Sequence, residues 1–237
     1  YYDIRPDAGL GAPIRGGTGY SLGWDSITAV DLDGDGVDEQ FFYRSTDGAF
    51  RYYDIEADGQ VGAPMQGGTG YSLGWDSITA VDLNGDDKDE MFFYRSKDGA
   101  YRYYTMRPDG SLQTLLQGGT GYSKGWGAIT GVDVDGDGRD EMFFYRPTDG
   151  AYRYYSVRTN GALSSLLSGG TGYAPGWDSI TAIDLNGDAR DELFFYRMNG
   201  EFAYHETTST GELGEAILAG SGYSKGWSSI SSINLGS

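Results

Sequence analysis

Tryptophan returns at Trp24, Trp75, Trp126, Trp177 and Trp227, at spacings of 51, 51, 51 and 50. Asp-Gly or Asn-Gly pairs sit at matching places in each interval, and the stretches between them are rich in Phe, Tyr, Val and Ile. These observations predict an all-β tandem repeat: a β-propeller of four-stranded antiparallel blades, forming a single domain over residues 1–237.

One unit reads as four strands. Ile27–Leu32 (ITAVDL) is the first, Glu39–Arg44 (EQFFYR) the second and Phe50–Ile55 (FRYYDI) the third. Val61–Gln66 (VGAPMQ) is the fourth, and Pro64 marks it as an edge strand, because proline cannot donate to a ladder. Asp47-Gly48, Asp98-Gly99, Asp149-Gly150 and Asn199-Gly200 join the second strand to the third. Such pairs suit two-residue hairpins, whose turns need positive φ. Asp58-Gly59, Asp109-Gly110 and Asn160-Gly161 do the same between third and fourth. Apolar residues fall on both strand faces, as with Phe41 and Phe42 or Tyr52 and Tyr53, so each blade needs a neighbour on either side.

The ends indicate how the ring closes. The chain opens on YYDIRPDAG, the third strand of a unit, and ends in SSISSINLGS, the first strand of another. Five blades are expected, the fifth shared by the two termini and lacking its second strand. A four-bladed ring with leftover ends is the alternative. The mid-repeat start fits a piece of a longer chain.

Composition narrows the function. The net charge of −18 repels phosphate backbones and anionic lipid, so neither nucleic acid nor membrane insertion is expected. The absence of cysteine removes disulfides, thiolate metal sites and cysteine nucleophiles. With aromatics at 15% of residues, a disordered chain is excluded.

Between first and second strands lies DLDGDGVDE (31–39), which recurs as DLNGDDKDE (82–90), DVDGDGRDE (133–141) and DLNGDARDE (184–192). Oxygen-bearing side chains occupy positions 1, 3, 5 and 9. Calcium takes six to eight oxygens, and a tight loop with oxygens at alternate positions supplies them, with position 7 giving its carbonyl. The candidate ligands are Asp31, Asp33, Asp35, Val37 and Glu39 in the first loop and Asp82, Asn84, Asp86, Lys88 and Glu90 in the second. In the third they are Asp133, Asp135, Asp137, Arg139 and Glu141, and in the fourth Asp184, Asn186, Asp188, Arg190 and Glu192. Up to four structural Ca²⁺ are expected, each cancelling two charges. Position 6, where the sharp turn favours glycine, is Asp87 in the second loop and Ala189 in the fourth, which predicts weaker sites there. The alternative is that Asp and Gly here serve turns alone.

These loops at the head of a blade resemble the FG-GAP or VCBS repeats of secreted bacterial propellers and integrin α-chain heads. The Gly-x-Gly-x-x-x-Gly-Trp phrase, followed by a strand and then an FFY strand, resembles the tachylectin-type five-bladed lectins. The resemblance spans essentially the whole chain. It implies a secreted, extracellular protein that holds calcium in its blades and binds carbohydrate.

The phrase GGTGYSxGW precedes each first strand and links one blade to the next. A sugar site combines a flat apolar ring, carboxylates and backbone amides. The candidate ligand-binding residues are Tyr20, Trp24 and Asp25; Tyr71, Trp75 and Asp76; Tyr122 and Trp126; Tyr173, Trp177 and Asp178; and Tyr223 and Trp227. The competing reading makes the tryptophans inter-blade packing wedges. Arg44, Arg95, Arg146 and Arg197, which follow FFY, either pair with carboxylates of the next blade or line the same pocket.

No enzyme is expected. The one histidine, His205, occurs in a single repeat, and near-identical units suit repeated binding better than one asymmetric catalytic constellation. The expected function is that of a multivalent lectin whose partners are glycans or cell-surface polysaccharide. The alternative is a protein-interaction or adhesion head of a larger secreted protein.

Overall fold

The computed structural model describes residues 1–16 and 21–235. An N-terminal two-stranded sheet pairs β1 (Tyr2–Ile4) with β2 (Leu10–Pro13). Blade 1 follows with β3 (Ser26–Val30), β4 (Glu39–Arg44), β5 (Ala49–Ile55) and β6 (Val61–Gly68). Blade 2 holds β7 (Ser77–Val81), β8 (Glu90–Arg95), β9 (Ala100–Met106) and β10 (Leu112–Gly119). Blade 3 holds β11 (Ala128–Val132), β12 (Glu141–Arg146), β13 (Ala151–Val157) and β14 (Leu163–Gly170). Blade 4 holds β15 (Ser179–Ile183), β16 (Glu192–Tyr196), β17 (Glu201–Thr207) and β18 (Leu213–Ser221). Each blade is an antiparallel meander in chain order.

Local chemistry sets these bounds. The first strand ends at Val30 rather than Leu32, because the Asp31 carboxylate turns to accept N–H groups of the loop ahead. The fourth strand is longer than its sequence signal and runs to Gly68, with Pro64 opposite Tyr53 at a register shift on the outer edge. The first strands of successive blades contact one another and line the axis.

Each blade packs its two aromatic faces against two neighbours. Phe41, Tyr43 and Tyr52 of blade 1 meet Trp75, Met91 and Phe93 of blade 2, and the same set recurs between blades 2 and 3 and between blades 3 and 4. Burying one such ring stabilises by roughly 1.5–3 kcal/mol, so the inter-blade faces hold the ring together. The turn between third and fourth strands seals each interface: a Cβ on Gly110 would come within 2.8 Å of the Tyr52 ring of the preceding blade. Gly161 meets Tyr103 and Gly211 meets Tyr154 in the same way.

The N-terminal sheet sits between blade 4 and blade 1. Ala8, the counterpart of those turn glycines, is buried with Tyr204 and Phe194 of blade 4 and has φ 60°. Gly59 of blade 1 lies against Tyr1. Residues 229–235 run along the inner ring: Ser232 Oγ donates to Ala182 O at 2.7 Å, and Asp38 N–H donates to Asn234 O at 2.8 Å. The expectation of five blades is corrected to four. Among the described residues no second strand lies between β1 and residues 229–235, and no ladder joins these two segments.

Candidate functional site

Strand direction sorts the loops onto two ends of the ring. Acidic loops and third-to-fourth turns share one end. Second-to-third turns and blade junctions share the other, where Tyr71 N–H donates to Gly48 O.

In the acidic loop, Asp31 organises the turn. Its Oδ1 accepts from Gly34 N–H at 2.7 Å and its Oδ2 from Gly36 N–H at 2.8 Å. Asp82, Asp133 and Asp184 accept from the matching N–H groups. Position 6 is left-handed in all four loops, including Asp87 at φ 62° and Ala189 at φ 69°. The turn therefore keeps its shape without glycine, at a cost in strain. Val37, Lys88, Arg139 and Arg190 each direct their N–H to the position-5 carboxylate. The position-9 carboxylates reach back to the loop base: Glu39 accepts from Leu32, Glu90 from Leu83, Glu141 from Val134 and Glu192 from Leu185. Burial raises Glu39, Glu90 and Glu141 to about 7, with further help from the loop aspartates.

The donor set fits a hard divalent cation. Carboxylate oxygens of Asp31, Asp33 and Asp35 lie within 4.8 Å of one another, as do those of Asp133, Asp135 and Asp137. In the fourth loop Asn186 Oδ1 accepts from Asp188 N–H at 2.8 Å, while its Nδ2 donates to Glu192 Oε1 at 3.3 Å. Asn84 and Asn186 thus supply a neutral oxygen where the other two loops supply a charged one.

The residue before each position-9 glutamate has a separate role. Asp89 Oδ2 accepts from Asp31 N–H of the preceding blade at 2.8 Å, and Asp89 N–H returns a bond to Asp31 O at 2.8 Å. Asp140 binds Asp82, and Asp191 binds Asp133, in the same two-way manner. Asp38 binds Asn234 likewise. These four half-buried carboxyls line the axial channel. Enclosure within the ring raises Asp38 and Asp191 to about 7 and Asp89 and Asp140 well above the ordinary range. The signal was present in sequence, since Asp precedes Glu in all four loops, but a reading confined to positions 1, 3, 5, 7 and 9 passes over it.

At the junction end the aromatic residues are largely committed to packing. Trp75 and Trp126 are buried against Phe93 and Phe144; Trp24 and Trp177 are half-buried, and Trp227 is 57% exposed. Tyr71 stacks on Phe50 at 4.0 Å and its hydroxyl lies 3.4 Å from that of Tyr52. Tyr122, Tyr173 and Tyr223 meet Tyr103, Tyr154 and Tyr204 in the same way. Tyr20 lies outside the described residues. Asp25, Asp76 and Asp178 are exposed but turn back to accept the backbone N–H of Ser45, Ser96 and Met198.

The arginines stay within their own blade. Arg44 pairs with Asp47 across the hairpin turn at 2.6 Å, and its guanidinium lies 5.4 Å from the Trp24 ring centre. Arg95 and Arg146 repeat this with Asp98 and Asp149, whereas Arg197 takes Glu201 and sits 4.3 Å from Trp177. The arginine holds Asp47, Asp98 and Asp149 down to about 2. Four junctions thus set a Trp beneath a guanidinium that is paired with an acid of its own blade, Asp in the first three and Glu201 in the fourth, beside a short loop such as Ser72 and exposed Leu73, on one rim.

Residues 133–195 match the FG-GAP-like repeat family model. No curated protein sequence matches the chain. Among solved structures the chain is similar to an Agrocybe aegerita lectin described for specific recognition of non-reducing terminal N-acetylglucosamine, at 14% identity and TM-score 0.49, covering 80% of this chain and 50% of that one. It is also similar to a periplasmic gluconolactonase of Pseudomonas aeruginosa, at 13% identity and TM-score 0.46, covering 91% and 76%. A third is a functionally unknown protein of Desulfotomaculum acetoxidans, at 17% identity and TM-score 0.48, covering 86% and 61%. The chain spans about half the length of the lectin. It is a β-propeller of four-stranded antiparallel blades that carries an FG-GAP-like repeat.

Proposed function

We propose that this chain is a multivalent carbohydrate-binding propeller of the extracellular space, with a shallow sugar site at each blade junction and structural Ca²⁺ in the acidic loops. One observation supports the reading: a Trp ring under an Arg guanidinium that is itself paired with an acidic side chain recurs at four blade junctions around a single rim. Packing fixes the tryptophan and tyrosine bodies. The parts left for a ligand are the Trp edges, the guanidinium and the loop amides, which suit a weakly held, hydroxyl-rich ligand. Weak sites on one rigid body gain on the order of 10²–10⁴ in avidity against a glycan-coated surface.

The reading is of binding, not catalysis. The four units repeat one constellation, and His205 packs edge-on against Phe195 with Nδ1 3.3 Å from Gly214 O. Calcium belongs to the other end of the ring, where it would neutralise carboxylates and fix the hairpin. A glycan array probed in calcium tests the proposal. Retention by a defined class of terminal sugars is expected, and silence from a folded protein would sink it.

A further inference from the structure

The third strands carry a second set of arginines, apart from those that cover the tryptophans. Arg51 of β5, Arg102 of β9 and Arg153 of β13 stand opposite Gly67, Gly118 and Gly169 of the outer strands. Each arginine stem lies flat across its glycine: a Cβ there would come within 2.7, 2.6 and 2.6 Å of the arginine Cδ. Blade 4 shows the same coupling from the other side. Where Ala203 replaces the arginine, Ala219 replaces the facing glycine. The glycine accompanies the arginine and is absent where the arginine is absent.

These half-buried guanidinium groups are clamped on one side and open on the other. Arg102 Nη1 donates to Tyr101 O at 2.6 Å and to Gly119 O at 3.2 Å, and Arg51 and Arg153 make the same two bonds. Among the described residues their Nε and Nη2 groups meet no acceptor, and none of the three has a carboxylate partner. Nε–H and Nη2–H point the same way and form a side-on fork. The same fork of Arg146 closes on Asp149 at 2.9 and 2.7 Å. In a chain with 35 acidic residues against 17 Lys and Arg, three fixed cations without a carboxylate stand out. Beside Arg51 a recess of 310 Å³ opens, with Met65, Gln66 and Gly67 among its walls. Phe93, opposite Arg102, meets Trp75 at 5.8 Å, so this fork shares a blade face with the junction tryptophan. The acidic loops lie toward the other end of the strands, roughly 10 Å or more from Arg102 at about 3.3 Å per residue. That exceeds a Debye length of about 8 Å, so their charge is largely screened at the fork.

We propose that the forks of Arg51, Arg102 and Arg153 receive the carboxylate of a uronic acid, so that the ring selects acidic over neutral sugars. The proposal rests on the sugar-binding reading of the junction rim and narrows it. A carboxylate meets Nε and Nη2 with two parallel charge-assisted bonds, where a neutral hydroxyl meets the fork with one oxygen. A uronic acid carries that group on the pyranose ring itself, among hydroxyls that the nearby loop amides can hold. Binding costs little ordering of the arginine, because Nη1 is already fixed to two carbonyl oxygens. Blades 1 to 3 hold the fork and blade 4 does not, which gives three acid sites along one arc of the rim.

The test uses the intact, calcium-loaded protein on surfaces that display oligosaccharides ending in glucuronic or galacturonic acid. The same surfaces with each carboxyl converted to its methyl ester serve as the comparison. Retention at least about tenfold stronger on an acid than on its ester is expected. Arg102→Gln with Arg153→Gln should lower retention on the acid by at least about tenfold and leave retention on the ester unchanged. Arg102→Lys with Arg153→Lys keeps the charge and loses the fork, and should lower it too. Full retention by the lysine variant would overturn the fork. Equal retention of the unaltered protein on acid and ester overturns the proposal, whatever the melting temperatures of the variants. So does equal retention on polyglutamate, which would mark a general attraction to anions. Retention by neutral sugars alone defeats the acid assignment and leaves the carbohydrate reading standing. Retention by no glycan, acidic or neutral, defeats both.

Discussion

Asp31 and Asp89, on neighbouring blades, hold each other by two hydrogen bonds: Asp31 N–H donates to Asp89 Oδ2, and Asp89 N–H donates to Asp31 O, both at 2.8 Å. Repeated at Asp82–Asp140 and Asp133–Asp191, this contact ties the inner ring together with carboxyls that are costly to ionise.

A pH dependence follows. Folding raises Asp38 and Asp191 to about 7, and Asp89 and Asp140 further, by enclosing them. The unfolded chain releases these protons near pH 4 while the folded ring keeps them. The stability they contribute is therefore full below pH 4 and falls as pH rises toward 7 and beyond. In chelator, Asp89→Asn and Asp140→Asn keep the acceptor and remove the charge. Both should melt higher than the parent at pH 7 and equal to it near pH 4. Equal melting at both pH values would refute the assignment.

Ala189 holds a left-handed backbone at φ 69° in the fourth acidic loop. An L-residue there costs roughly 1–2 kcal/mol relative to glycine. Ala189→Gly is expected to stabilise by about 1 kcal/mol in denaturant titration. Gly138→Ala, at the same place in the third loop, should destabilise by a similar amount.

Tyr94 spans two blades through one hydroxyl, donating to Ser123 O at 2.7 Å and accepting from Trp126 N–H at 3.4 Å. Tyr94→Phe leaves both partners unmet and should cost about 1–3 kcal/mol. Removing the Phe92 ring, fully buried between blades 2 and 3, should cost more, about 3–5 kcal/mol for Phe92→Ala. Urea midpoints would rank the two.

Calcium is expected to add stability by binding only the folded loops. Chelation should lower the melting temperature by several degrees. Asp133→Ala should remove part of that response, because it deletes both a candidate ligand and the acceptor for Gly136 and Gly138 N–H. An unchanged melt in chelator would mean that the acidic loops shape turns and nothing else.

The period, the strand order and the hairpin turns were legible because Asp-Gly pairs and aromatic runs act locally. Pro64 on an outer edge was legible for the same reason. The inter-blade aspartates were not, since their partners lie 58 residues away and the loop motif masks them. The role of Trp75 was ambiguous because a ring that can stack on sugar can equally bury against Phe93. Arg44 was read as pairing with a carboxylate of the next blade or lining the junction pocket; the tight turn puts Asp47 of its own blade beside it, with the guanidinium over Trp24. Ring closure was misjudged: among the described residues the N-terminal segment forms a two-stranded sheet and residues 229–235 run along the inner ring, and the two are not joined into a fifth blade.

The most direct measurement is retention of the calcium-loaded protein on glycan surfaces of graded density. Binding that rises steeply with density, and that Arg95→Ala and Arg146→Ala weaken together at least tenfold without lowering the melt by more than a few degrees, is the predicted result. A folded protein that is retained by no glycan at any density would contradict the account.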